Sequence, residues 1–175
     1  MGTISSDVTN RNMKIKGITD EDFVNFKVPS MFIAVSTCTF KCDLECGRRI
    51  CQNSALAHMP DINVDERDIV NRYLKNKITH AIVFGGLEPM DQSECVAMLS
   101  AMLCSEHCDD PIVIYTGYTK EELLSDKFRS KSMDILSRCG NVIMKYGRFV
   151  PDQEPHFDFV LGVNLASDNQ YAERL

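Results

Sequence analysis

Cys38, Cys42, Cys46 and Cys51 crowd one short stretch, MFIAVSTCTFKCDLECGRRICQNS, running from Met31 to Ser54. Four thiols so close together cannot each fill a separate gap in a core. On a flexible loop they can instead turn inward together, which is what a soft metal or an iron–sulfur cluster requires. A zinc site of four cysteines is the rival chemistry. Zinc commonly takes paired CxxC knuckles, whereas the intervals here are three, three and four residues, a spacing that favours iron–sulfur.

Other stretches carry weaker signals. In Gly85-Gly86-Leu87-Glu88-Pro89, bare backbone lets a ligand approach and offers N–H and C=O groups to a zwitterion, with Glu88 near an ammonium. As a plain strand-to-helix turn, the same glycines only supply unusual backbone angles. Tyr115 to Tyr118 and Tyr146 to Phe149 read either as site loops or as strand ends with packing aromatics. The adjacent Arg48 and Arg49 read either as a solvated turn or as cations favouring a negative centre. His58, His80, His107 and His156 share no ligand spacing. Cys95 and Cys104 fall within an apolar helical stretch, so together with Cys108 and Cys139 they read as buried thiols, not a second cluster.

The elements that must position these residues follow a repeating pattern. Met31 to Val35, His80 to Phe84, Pro111 to Gly117 and Asn141 to Met144 are short, continuously apolar runs that read as buried strands. Between them, VDERDIVNRYLKNK predicts a helix capped by Asp65, with Ile69, Val70, Tyr73 and Leu74 on one face. A Met-rich helix is expected over Gln92 to Ser105, and another near Ser130 to Ser137 after a polar stretch, Thr119 to Asp126. A short strand fits Met13 to Ile18, with a turn at Asp20 to Asp22. Such alternation predicts an α/β fold with a parallel sheet covered on both faces, open or curled into an incomplete barrel. Working loops in these architectures leave the C-terminal ends of the strands, which is where the cysteine loop, the Gly-Gly turn and both tyrosine segments lie.

Composition narrows the classes. At 175 residues with 44% hydrophobic content the chain suits one domain, residues 13–175, that buries a core without disulfide staples, after a loose tail over 1–12. A net charge of −6 argues against a nucleic-acid surface. No apolar window spans a bilayer and the N-terminus lacks a signal-peptide core, so a cytoplasmic protein without membrane contact is expected. Met1-Gly2 with Ser6 fits a loose myristoylation pattern that short Gly-Ser-Thr starts often match. Reduced thiols kept for ligation suit that compartment.

In order along the chain, CTFKC after a strand, CQN at Cys51, GGLEP, YTGY, YGRF and SDNQ resemble the activating proteins of anaerobic ribonucleotide reductase. These are small members of the radical S-adenosylmethionine superfamily. The resemblance implies an incomplete (βα) barrel of radical SAM type with mostly parallel strands. It also implies a [4Fe–4S] cluster on three cysteines, whose open iron chelates S-adenosylmethionine, and a deoxyadenosyl radical that abstracts hydrogen from a glycine of the partner enzyme. The partners it implies are the glycyl-radical subunit of an anaerobic ribonucleoside-triphosphate reductase and an electron donor such as flavodoxin or ferredoxin. Carried onto this chain, Cys38 and Cys42 are ligands, and Gly85, Gly86, Glu88, Thr116 and Gly117 line the cofactor pocket.

Two departures stand out. The superfamily's loop is CxxxCxxC, whereas here the third ligand is either Cys46, one residue late, or Cys51. Spacing favours Cys46, while the Cys51-Gln52-Asn53 context favours Cys51; Cys51 is taken as the third ligand and Cys46 as the alternative, since loop length varies cheaply whereas the residues around a ligand fix its approach. Leu87 is inserted between the glycines and the acid. Two other functions remain open at this level: a short radical enzyme acting on a small molecule, of the 7-carboxy-7-deazaguanine synthase type, and a non-catalytic cysteine-rich zinc or cluster-binding module.

Overall fold

A computed structural model describes residues 12–175. Residues 1–11, with the Met1-Gly2 start and all but the last residue of the expected tail, lie outside the described residues. Asn12 already opens β1 (Asn12–Asp22), which outruns the expected short strand: Asp20 to Asp22, read as a turn, complete it, and the turn follows at 23–28. β1 pairs antiparallel with β2 (Ser30–Val35). After α1 (Lys41–Cys46) and α2 (Ser54–Ala57), β3 (Ile62–Asp65) adds to the other side of β1, also antiparallel.

The parallel series follows. α3 (Glu66–Lys75) leads to β4 (Ile82–Gly86), a 3₁₀ turn at Pro89–Gln92 leads into α4 (Ser93–Ser105), and β5 (Ile112–Tyr115) comes next. α5 (Lys120–Ser125) and α6 (Lys127–Cys139) then lead to β6 (Val142–Tyr146). β2, β4, β5 and β6 are mutually parallel neighbours. A hairpin of β7 (His156–Asp158) and β8 (Val163–Leu165) precedes β9 (Tyr171–Arg174), which closes the far edge antiparallel to β6. The order is β3-β1-β2-β4-β5-β6-β9.

Because the parallel strands are laid down in one direction without reversal, right-handed crossovers put α3, α4, α5 and α6 on the same face. The core divides accordingly. Ile82, Phe84, Ile112, Ile114, Val142 and Met144 alternate onto the helical face, against Ile69, Val70, Val96, Leu99, Leu103, Leu123 and Leu136. Val83, Val113 and Ile143 point the other way, where the 23–28 turn and the β7–β8 hairpin supply Phe26, Leu161 and Leu165. Both faces are covered, but only one by helices.

Helix boundaries follow local chemistry. Asp65 caps α3 by accepting from the Arg67 N–H at 2.7 Å. Ile69, Val70 and Tyr73 are buried as expected, whereas Leu74 is 39% exposed, since it lies past the edge of the packed stripe. The Thr119 to Asp126 stretch, read as polar connection, is a helix held by a capping box between Thr119 and Glu122. Asp126 then caps α6 three residues before the expected start of that helix. Among the described residues no helix is long and apolar enough to cross a membrane.

Candidate metal centre

β2 runs to the C-terminal edge of the sheet, and none of residues 36–60 beyond it is fully buried. Apolar packing of this segment is partial, through Cys38, Phe40, Leu56 and Ala57, and polar ties complete the hold. Asp91 Oδ2 accepts the Thr39 N–H at 3.1 Å. Asp43 Oδ1 accepts the N–H groups of both Ile50 and Cys51 at 2.8 Å. Asn53 donates through Nδ2 to the Gly86 carbonyl at 2.7 Å, tying the CQN segment to the Gly-Gly turn. Phe40, at φ 52°, lies in the left-handed region, which costs a non-glycine residue about 1 kcal/mol. Its N–H donates to Cys38 Sγ at 3.2 Å.

These ties decide which thiols meet. α1 stops at Gly47, also left-handed at φ 65°, and Asp43 draws the returning chain back across it. Cys38, Cys42 and Cys51 thereby line one cavity of about 500 Å³. Cys51 lies near enough to Cys42 to help raise its thiol. Cys46 is exposed near the end of α1 and does not line the cavity. Neither do Arg48 and Arg49, and Arg48 reaches instead to Asp152 at 3.4 Å on the surface. Burial pushes the Cys38 thiol up to about 12, opposed by the Phe40 N–H and helped by the charges of Glu88 and Asp91. Burial also raises Cys42.

The opposite wall is the ends of β4, β5 and β6 on the helix-free face. Gly86 sits at φ +83°, and a Cβ there would stand 3.0 Å from the Ala34 Cα, so only glycine fits both the angle and the space. Glu88 is buried, with Oε1 accepting from Thr116 Oγ1 at 2.7 Å and the Met90 N–H at 3.0 Å, and Oε2 accepting from the Gly117 N–H at 2.8 Å. Of the four lone-pair positions of a carboxylate, one on Oε2 is left over. Burial pushes Glu88 up to about 7 in spite of these bonds. Thr116 and Gly117 line the cavity, yet their donors go to Glu88.

Lys41, Arg129 and Lys145 escaped sequence reasoning, whereas Tyr118 and Arg148 lie within the tyrosine segments it marked. Lys145 lines the cavity from the end of β6, 7% exposed, and burial drives it down to about 8 against the pull of Glu88. Its ammonium makes one hydrogen bond, to the Gly147 carbonyl at 2.7 Å. A lone lysine in the apolar run NVIMKY was the available signal, since buried lysines are rare. The Tyr118 ring is surrounded by Lys41 at 4.7 Å, the Arg129 guanidinium at 4.5 Å and the Arg148 guanidinium at 5.7 Å. Arg148 also pairs with Glu122 at 2.6 Å, which links the α5 cap to the cavity.

Among the described residues no three His, Cys, Asp or Glu side chains stand close enough around one point to hold a single metal ion. A four-iron cluster is a larger body, and three thiols spread over one wall of a cavity suit it. The family model described as a 4Fe-4S single cluster domain matches residues 28–164. No curated protein and no solved structure matches the chain.

Proposed function

The chain belongs to the 4Fe-4S single cluster domain family, and from that premise we propose that it is a radical S-adenosylmethionine activase. Its substrate is the glycyl-radical subunit of an anaerobic ribonucleoside-triphosphate reductase, and a flavodoxin or ferredoxin supplies electrons in the cytoplasm. The observation that carries this reading is the shared cavity: Cys38, Cys42 and Cys51 face the Gly85-Gly86 turn and the 115–118 and 146–149 loops across one space of about 500 Å³.

Cys38, Cys42 and Cys51 hold the cluster, and three thiolates leave one of its four irons free for another ligand. When bound, the cluster would supply the electron for reductive cleavage of S-adenosylmethionine, the chemistry needed for hydrogen abstraction from a glycine of the reductase. The protein's own part is binding and orientation. Gly85 and Gly86 let the cofactor's methionine end approach bare backbone, and the lone pair left on Glu88 Oε2 can accept from its ammonium. Lys145, with a single hydrogen bond, has N–H groups left for its carboxylate. We read the open sheet as the incomplete (βα) barrel of this superfamily; its unreversed parallel order, helices on one face and site on the other support that.

Anaerobic reconstitution with iron and sulfide, followed by S-adenosylmethionine and a reductant, tests the reading. Brown protein, 5′-deoxyadenosine and a glycyl doublet on the cognate reductase are expected. Deoxyadenosine coupled to a small-molecule product without the doublet would move the assignment to a deazaguanine-type enzyme. Colourless protein with one zinc would leave a binding module.

A further inference from the structure

Thr39 lies next to Cys38 at the outer edge of the cysteine loop, and its N–H is tied by a side chain on the far side of the Gly-Gly turn. Asp91 Oδ2 accepts the Thr39 N–H at 3.1 Å. The other oxygen of the same carboxylate accepts the Tyr118 hydroxyl and Arg129 Nη2, each at 2.7 Å. The Asp91 side chain is 5% exposed and that of Arg129 22%. Arg129 is itself anchored, donating through Nε to the Met90 carbonyl at 3.0 Å and through Nη1 to Asp126 at 3.0 Å, while its Nη2 also reaches the Tyr118 hydroxyl at 3.0 Å.

One carboxylate thus joins the cysteine loop, the 115–118 loop and α6. A nearly buried negative charge is seldom retained without a function or a partner. Here the partner is a guanidinium brought in from α6, so that the pair places balanced charges one residue from Cys38. Charges at this depth are weakly screened and act on a neighbouring redox centre.

We propose that Asp91 is the positioning residue of the Cys38 limb, and that the Asp91–Arg129 pair sets the reduction potential of a cluster held there. This rests on the cluster assignment above, though not on the identity of the reductase or on cleavage of S-adenosylmethionine. Removing the negative charge makes an added electron easier to accept; removing the guanidinium leaves that charge uncompensated and has the opposite effect.

The test is a redox titration of the reconstituted full-length protein, read by the spin signal of the reduced cluster. Asp91→Asn is expected to raise the midpoint potential and Arg129→Gln to lower it, each by about a tenfold change in the reduction equilibrium, which is ~59 mV for one electron. Arg129→Lys, which keeps the charge, should stay near wild type. A merely structural pair would leave the potential unmoved or shift it the same way in both variants, and either result overturns the proposal. If Asp91→Asn does not fold, the two Arg129 variants decide alone. If the wild type takes up no cluster, it is the cluster assignment that fails; hydrogen exchange on the metal-free chain then reads the positioning role. Asp91→Asn should speed exchange at the Thr39 amide, and an unchanged rate sinks that role.

Discussion

Two groups of three cysteines sit at opposite ends of the same sheet, and only one of them faces a cavity. Cys38, Cys42 and Cys51 lie beyond the C-terminal ends of the parallel strands. Cys104, Cys108 and Cys139 gather near the N-terminal ends, one strand length or about 15 Å away. All six are half-buried, and burial raises the thiols of Cys38, Cys42, Cys104 and Cys108 alike. What differs is the surroundings. The second group packs against the helix-side core, where Cys104 donates to Asn141 Oδ1 at 3.6 Å, Cys139 to the Ile135 carbonyl at 3.7 Å, and Asn141 bonds the Cys108 carbonyl at 3.3 Å. The first group also touches that core through Cys38, but it has bare glycine backbone opposite, and its loop is tied by Asp43, Asp91 and Asn53. Thiol density does not make a ligand site; an open space facing the thiols does.

Substitution of the thiols should break the symmetry most sharply. Cys38→Ala, Cys42→Ala and Cys51→Ala are each expected to abolish cluster uptake and cleavage of S-adenosylmethionine, whereas Cys46→Ala retains both. Cys104→Ala and Cys139→Ala should keep full iron and sulfide content and lose only about 1–2 kcal/mol of stability, the cost of a small cavity in a half-buried site. Iron analysis and thermal unfolding of the same variants check both halves. Loss of cluster in Cys46→Ala with retention in Cys51→Ala would transfer the ligand to the exposed end of α1.

The cavity end also carries titrating charge. Lys145 is driven from 10.5 to about 8, so between those pH values the unfolded chain binds a proton that the folded chain does not, and stability rises with pH across that window. Glu88 is raised from 4.5 to about 7, so its contribution is fully present below 4.5 and is lost as pH climbs to 7. Each shift corresponds to about 3 kcal/mol. Difference curves against Lys145→Met and Glu88→Gln in the metal-free protein should show a rise as pH goes from about 8 to 10.5 and a fall as pH goes from 4.5 to about 7, respectively. A flat difference for Lys145→Met would mean that its ammonium is better solvated than its 7% exposure implies.

How much of this was legible in the sequence follows from what each feature depends on. The four parallel strands and α3, α4 and α6 were readable because apolar periodicity reports burial directly. The Cys51 reading came from three neighbouring residues, and its geometry rests on one of them, Asn53, whose amide ties the loop to Gly86. Asp43, Asp91 and Arg129 were not readable as a set, since the contacts that join Asp43 and Asp91 to the cysteine loop and Arg129 to Asp91 span between 7 and 52 residues along the chain and no spacing rule links them. β9 and the β7–β8 hairpin were missed because three- and four-residue strands carry too few alternations to stand out.

A smaller effect concerns the return of the loop. Asp43→Ala removes the acceptor for two N–H groups, those of Ile50 and Cys51, for about 1–2 kcal/mol of local stability. Cluster yield should fall without vanishing, because the Asn53 tie to Gly86 remains. Asp43→Asn, which keeps one oxygen acceptor, should recover much of the yield. Equal yields in wild type and Asp43→Ala would show that the ligand itself, not Asp43, closes the turn.

The smallest expected change is at Arg48, and it separates charge near the cysteines in sequence from charge near them in space. Arg48 and Arg49 follow Cys46 after a single glycine, which invited a role beside a negative centre. In the fold Arg48 pairs with Asp152 at 3.4 Å, with side chains 64% and 89% exposed, and it faces away from the cavity. Exposed pairs of this kind are screened by water and salt and contribute almost nothing. Arg148, 100 residues later, is the arginine that lines the cavity, with a side chain only 12% exposed. Arg48→Ala should therefore change unfolding stability by less than about 0.5 kcal/mol and leave the cluster's potential and yield where they were. Arg148→Ala should weaken S-adenosylmethionine binding through the loss of a cation beside Tyr118 and Glu122. A potential shift in Arg48→Ala larger than that in Arg148→Ala would mean that the 47–49 turn folds inward once the cluster is present.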